Sequence, residues 1–448
     1  MTQRTDSVGS KSVELEFISN TGFYLAHKKV VFGMDLWLTQ GAFEGSWFHF
    51  PPHRPTKYSI TDCRYIYISH IHPDHCDFNH IKNAKAETTF IVPNYFDHLL
   101  ARKLKAFGFK NIVSLEPEEE RTLEKGLKIK MFPQFINNLF HKADIGSLID
   151  SALLIQWDSR TILNCNDNYI DSVWAEKLAK QYPEMDLAIL PHSASGPYPA
   201  SFRNLTAAEK EREAKRLQSD FINHFVEMTE ILKPKYVLPA AGDFMIAGRH
   251  HTKNKFLGLA DPKEACGRVN ARQKTGAPGT KAVQLDCGTV LDIDSGEVSG
   301  LEVRHPTAAE KWEYAEKLKG IYYPYEWEEN LHLADFDELF RQARGNLWAK
   351  QERFGWKRDV NLYFVIDEIP AYEINFSKPE FKKLEGKLTQ RKEPYMECYL
   401  PRQLFYQILT KRAHWNNAEG GLHIDFYRQP NDYIPEVHTF LSFLHIPL

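Results

Sequence analysis

The chain has 448 residues, and its 56 basic side chains nearly balance 59 acidic ones, for a net charge of −3 at neutral pH. A near-neutral surface supplies no field to gather nucleic acid or an anionic membrane. No window approaches the roughly 18 uninterrupted apolar residues of a membrane-spanning helix, so neither class of partner is expected. Six cysteines without paired spacing and a polar N-terminal decapeptide predict reduced thiols and a cytoplasmic enzyme.

In chain order, Val13 to Phe17 and Phe23 to Trp37 read as strands that open a sheet, with Asn20-Thr-Gly22 as the turn between them. Asp35, by itself, reads as a strand-end turn residue. Residues 40 to 56, rich in Phe, Trp and Pro, read as a loop that packs inward or walls a pocket.

Tyr65 to Ser69 is a short apolar β-rich run leading directly into His70-Ile-His72-Pro-Asp74-His75. Two histidines two residues apart in extended backbone project to one side and can share a metal ion. After Pro73 the chain turns, so Asp74 and His75 face a neighbouring point where a second ion could sit. Imidazole and carboxylate at this spacing suit nitrogen- and oxygen-ligated divalent metals. The plain alternative is a histidine-rich surface loop.

Further along come the strand Phe90 to Pro93, an amphipathic stretch from Tyr95 to Phe107, and a strand from Leu127 to Phe132. Ser151 to Trp157 and Thr161 to Leu163 form two more strands, the second ending at Asn164-Cys165-Asn166-Asp167. The strand Asp186 to Leu190 empties at Pro191-His192, where ligands gather in α/β folds. His192 is therefore a candidate metal ligand, general acid, substrate contact or hydrogen-bonded structural residue. Thr206-Ala-Ala-Glu209 is a capping box that opens a long helix ended by Pro234, and Tyr236 to Gly242 is the next strand. Alternating strands and helices predict a layered α/β architecture.

Residues 260 to 285 read as a long loop, a pocket lid or a mobile connection, and Arg249, Lys253, Lys255, Arg268 and Arg272 read either as a clamp for an anion or as solvated basic side chains. A second capping box at Thr307 starts another helix. From about residue 300 onward the order is strand (Asn361 to Asp367), strand (Tyr372 to Phe376), helix (Pro401 to Arg412) and strand (Gly421 to Tyr427), with no ligand constellation visible. This order also resembles sterol-carrier-like domains. The expected division is residues 1–300 for a catalytic domain and 301–448 for an α+β region.

The His-x-His-x-Asp-His motif resembles that of the metallo-β-lactamase superfamily. Asp35-Leu-Trp37, Phe43-Glu-Gly-Ser-Trp47, Asn164-Cys-Asn-Asp167, Ser193-Ala-Ser-Gly-Pro-Tyr-Pro199 and Lys233-Pro-Lys-Tyr-Val-Leu-Pro-Ala-Ala-Gly242 are similar to one branch of it, the catalytic region of CMP-N-acetylneuraminate hydroxylase. The resemblance implies a four-layer αββα sandwich holding two divalent ions, zinc or iron, with manganese also compatible. It implies ligands His70, His72, Asp74 and His75, with His141 as the third histidine of the first ion, Asp167 as the bridging carboxylate and Asp35 close to the metal site. Many superfamily hydrolases place a last histidine where Ala241 stands here, so Asp243, His250 or His251 is expected to substitute, His250 first.

That branch also carries an iron–sulfur domain built on Cys-x-His and Cys-x-x-His pairs. None of Cys63, Cys76, Cys165, Cys266, Cys287 and Cys398 stands in either pattern. Two activities follow as expectations. One is a hydrolase acting on an ester, lactone or phosphoester of a small anionic substrate, with Asp74 and His192 as catalytic side chains. The other is an iron-dependent monooxygenase drawing electrons from a separate Rieske or ferredoxin protein. The balance of these sequence features favours the hydrolase.

Overall fold

A computed structural model describes residues 12–95, 98–135, 150–193, 195–272, 279–385 and 390–447. Two mixed sheets organise the N-terminal two thirds. The first has eight strands in the order Val298–Gly300, Thr289–Asp292, Val13–Ser19, Gly22–His27, Val30–Met34, Cys63–Tyr67, Thr89–Pro93 and Ile112–Leu115. The second has seven, ordered Lys281–Ala282, Tyr236–Ala240, Leu187–Pro191, Arg160–Asn164, Ser151–Trp157, Leu127–Pro133 and Glu120–Glu124.

Alternation along the strands decides which side chains meet. Leu15, Phe32 and Tyr67 of the first sheet and Ile129, Leu153 and Leu187 of the second belong to one buried cluster between the sheets. On the outer face of the first sheet, Ile66 and Phe90 meet Leu100 and Leu104 of the helix Leu99–Ala106. On the outer face of the second, Leu163 and Val237 meet Ile222 and Phe225 of the helix Ala207–Leu232. The layering is therefore helix, sheet, sheet, helix, the four-layer αββα sandwich of the metallo-β-lactamase fold.

Strand direction then places the chemistry. Cys63–Tyr67 runs parallel to both its neighbours, Val30–Met34 and Thr89–Pro93. Arg160–Asn164, Leu187–Pro191 and Tyr236–Ala240 are mutually parallel in the other sheet. Parallel strands deliver their C-terminal loops to one edge, where ligand sites in such sheets lie.

A five-stranded sheet closes the chain, in the order Phe381–Lys383, Ile369–Asn375, Asn361–Ile366, Tyr395–Leu400 and Asp425–Gln429. Its core takes Phe340 and Leu347 from the helix Phe336–Phe354, together with Phe405 and Trp415. Ion pairs tie it to the sandwich: Lys253 Nζ reaches Asp425 Oδ1 at 2.6 Å, and Arg203 reaches both Asp425 and Glu368. His423 Nε2 also lies 2.9 Å from the Phe43 carbonyl oxygen.

Three expectations change. Residues 260 to 285 are not one loop, because Pro262–Arg272 is a helix that buries Ala265, Cys266 and Val269. Its polar and glycine-containing sequence hid a short apolar stripe. Within residues 40 to 56, Trp47–His49 pairs antiparallel with Phe244–Ile246, and Trp47 stacks on Phe244 with ring centroids 3.5 Å apart. The helix Phe336–Phe354, capped by Asp335 accepting from the Glu338 amide and ended by Gly355 at φ 62°, was not among the expected elements.

Candidate metal centre

Leaving the strand Cys63–Tyr67, Ser69 is held from both sides of its backbone. Its amide and hydroxyl donate to the two carboxylate oxygens of Asp35, each at 2.8 Å. Asp35 sits in a turn at φ 44° and is fully buried, so its two proposed readings, turn residue and site neighbour, are both realised. Its Oδ2 also accepts from His75 Nδ1 at 3.1 Å. That bond fixes the ring of His75 and leaves Nε2 as the free face.

His75 Nε2 lies 3.3 Å from Asp74 Oδ2 and 3.3 Å from Asp167 Oδ2, without hydrogen-bond geometry to either. His70 Nε2 faces His72 Nδ1 at 2.8 Å. His70 Nδ1 lies 3.0 Å from Ser69 Oγ, 3.4 Å from Asp150 Oδ1 and 3.9 Å from Asp167 Oδ1. Five of the expected residues, His70, His72, Asp74, His75 and Asp167, are thus brought together. Ligand atoms of His70, His75 and Asp167 all fall within 4.8 Å of one another.

The electrostatics of the cluster are those of an anionic hole. Burial opposes charge on His75, but Asp167, Asp74 and Asp35 outweigh it and hold the imidazole well above its ordinary range. Burial and the neighbouring His75 push His70 down to about 4. Burial, then repulsion from Asp167, lifts Asp150 to about 7. Burial raises Asp167 as well, but His75 and His70 prevail and hold it below the usual carboxylate range.

These residues fit a divalent cation. Asp74 Oδ1, His75 Nε2, Asp150 Oδ1 and Asp167 Oδ1 are buried and have no hydrogen-bond partner, and buried polar atoms are rarely left so. Two ring nitrogens 2.8 Å apart are also close to the spacing of two nitrogens that each bind one ion at about 2 Å. The donor set is nitrogen and oxygen only, as zinc, iron or manganese would take.

Two supports come from outside the motif. Asn20 Nδ2 donates to Asp74 Oδ2 at 2.8 Å, while Asn20 Oδ1 accepts from the Gly242 amide at 2.8 Å. Asn416 Oδ1 accepts from His72 Nε2 at 2.6 Å. Asn20 had been legible only as a turn residue, and Asn416 carried no signal at all. Asp150 was equally missed, since a single aspartate before a strand is unremarkable in sequence.

The other expected residues are placed elsewhere. His141 lies outside the described residues. His192 donates from Nδ1 to the Ala240 carbonyl at 2.8 Å, and its buried Nε2 is unpartnered. It borders an adjoining cavity of about 290 Å³ shared with Asp243, Lys263 and Arg304. His250 stacks on Tyr323 with centroids 5.6 Å apart and faces His423, so it is not among the residues brought to the cluster. The turn Gly248–Phe256 that carries it packs toward the C-terminal region instead. His251 bonds Gly248 and Glu316. Asp243 accepts from the Asn20 amide at 3.2 Å, one residue removed from the Asp74 contact.

No protein-family model matches the chain. A protein of Mycolicibacterium smegmatis named for a Rieske 2Fe-2S iron–sulfur centre is 25% identical over 235 residues, which is 51% of this chain and 43% of that protein. The chain therefore spans less than half the length of that relative. Cytidine monophosphate-N-acetylneuraminic acid hydroxylase of Mus musculus is 22% identical over 455 residues, covering 95% of this chain and 71% of that one. Among solved structures, CmlA, a diiron β-hydroxylase from Streptomyces venezuelae, aligns over 65% of this chain and 55% of its own, at 15% identity and a TM-score of 0.43. The resemblance to the metallo-β-lactamase superfamily and to the hydroxylase catalytic region, first read from the motifs, is borne out.

Proposed function

We propose that this chain is a metal-dependent oxygenase that hydroxylates a small anionic substrate, with electrons supplied by a Rieske or ferredoxin centre. The observation that carries the choice is the 2.6 Å bond from His72 to Asn416. It ties the C-terminal region to the ring of a candidate metal ligand, and the alignment with the hydroxylase of Mus musculus, at 95% of the chain, extends over most of that region. Ala241, standing where many hydrolases of the superfamily carry a histidine, weighs in the same direction.

In this reading His70 and His72 would hold one ion, Asp74 and His75 a second, and Asp167 both. Iron bound there would supply one-electron redox chemistry toward dioxygen. The protein's own part is positional. Asp35 orients His75 and Ser69, Asn20 holds Asp74, and Asn416 fixes the ring of His72. Each leaves one ligand atom pointing inward with its other polar atoms occupied. All six cysteines are buried and outside any Cys-x-His pattern, so the two electrons that accompany insertion of one oxygen atom originate outside this sequence.

Hydrolysis is the second reading, favoured by that same lack of an electron-carrying cluster. Metal analysis of protein purified without added metal separates the two. Iron near two equivalents, with oxygen uptake driven by a reduced ferredoxin, is expected. Zinc near two equivalents, with no oxygen uptake and turnover of an ester or phosphoester, would replace oxygenation by hydrolysis.

A further inference from the structure

We propose that the C-terminal five-stranded sheet carries a second binding site, separate from the metal centre, for a small organic monocarboxylate held by Arg428. Arg428 lies on the strand Asp425–Gln429 and is only 7% exposed. Its Nε donates to Asn431 Oδ1 at 2.8 Å, and its guanidinium lies over the rings of Phe202, at 4.6 Å, and Tyr198, at 5.2 Å. Among the described residues it makes no ion pair with a carboxylate. A guanidinium taken out of water without a paired anion is costly and seldom kept without a reason.

Arg428 borders a cavity of about 370 Å³, within the size range of small-molecule sites. Arg358 lines it as well, and Ile434 and Val437 supply an apolar surface. Glu393 and Asp432 line it too. Two guanidiniums against two carboxylates leave no surplus positive charge to hold a phosphate dianion, so the pocket suits a ligand with a single negative charge that one guanidinium can pair. A planar carboxylate can take both terminal nitrogens of Arg428 at once, and an apolar body would then rest against Ile434 and Val437. None of the lining residues belongs to the histidine–aspartate cluster, so the site stands whether or not the oxygenase reading does.

Isothermal titration of the full chain with sodium benzoate tests this, with phenyl phosphate as the dianionic comparison. One saturable benzoate site is expected, tighter than phenyl phosphate, weakened roughly tenfold or more by Arg428→Met, and retained in His72→Ala. Arg358→Ala, an exposed position, is expected to weaken it as well and keeps the test open should Arg428→Met not fold. Absence of saturable binding, wild-type affinity in both arginine variants, or loss only in His72→Ala would overturn the assignment. Stronger binding of phenyl phosphate would overturn the choice of a monocarboxylate.

Discussion

His72 and Asn416 are joined by a 2.6 Å hydrogen bond across 344 residues of sequence, from the ring of a metal-motif histidine to a side chain of the C-terminal region. The ring nitrogen that faces His70 is thereby oriented by a group the motif does not contain. Outer partners of this kind typically carry about 10- to 100-fold in metal affinity or activity. Asn416→Ala should therefore lower metal affinity by about tenfold while the chain still folds, because Asn416 is only partly buried. Competition against a chromophoric chelator measures it, and wild-type affinity in that variant would remove Asn416 from the centre.

His72→Ala should abolish activity and leave circular dichroism and the melting transition close to wild type. The cluster of apolar side chains between the sheets is far larger than the contacts of one imidazole, so the fold is expected to stand without a metal. A chain that fails to fold would mark the ion as structural instead.

Asp35 holds Ser69 by two bonds and His75 by one, all buried. Asp35→Asn keeps the shape but puts an amide where His75 Nδ1–H needs an acceptor. The ion shared by His75 and Asp167 should weaken more than the ion at His70, so titration with cobalt should show one site shifted by about 1–3 kcal/mol and the other nearly unchanged. Equal weakening of both would contradict this division.

Acid stability should carry the mark of His49 and His53, whose rings lie 3.7 Å apart. Burial, then the charge of His53, pushes His49 down to about 2, while burial, then the charges of His80 and Arg304, pushes His53 down to about 4. Both groups are depressed on folding, so the unfolded chain takes up protons first, near pH 6.5. Stability from these two histidines is therefore complete above that pH and falls as the solution is acidified. The slope approaches 1.4 kcal/mol per pH unit for each histidine, and His53 ceases to contribute below about pH 4. Denaturant titrations between pH 7 and 5 should show a shallower slope for His49→Phe than for the wild type, and identical slopes would refute the assignment.

The motif residues themselves were legible in sequence for a local reason. His70, His72, Asp74 and His75 sit within six consecutive positions after one strand, so backbone geometry alone brings them together. Asp167 was legible because it ends a recognisable strand. The alternation of strands and helices pointed to a layered α/β architecture, and the resemblance carried by the motif implied the four-layer sandwich. What sequence could not decide depends on long-range closure. Asn20, Asp150 and Asn416 are ordinary polar residues until the folded chain sets them against Asp74, His70 and His72. His250, chemically the best substitute at the Ala241 gap, is turned toward Tyr323 and His423 by the packing of its turn on the C-terminal region. Local spacing determined the donors that share one loop, and tertiary packing decided which distant side chains hold them, because a side chain's direction is set by the element it packs against.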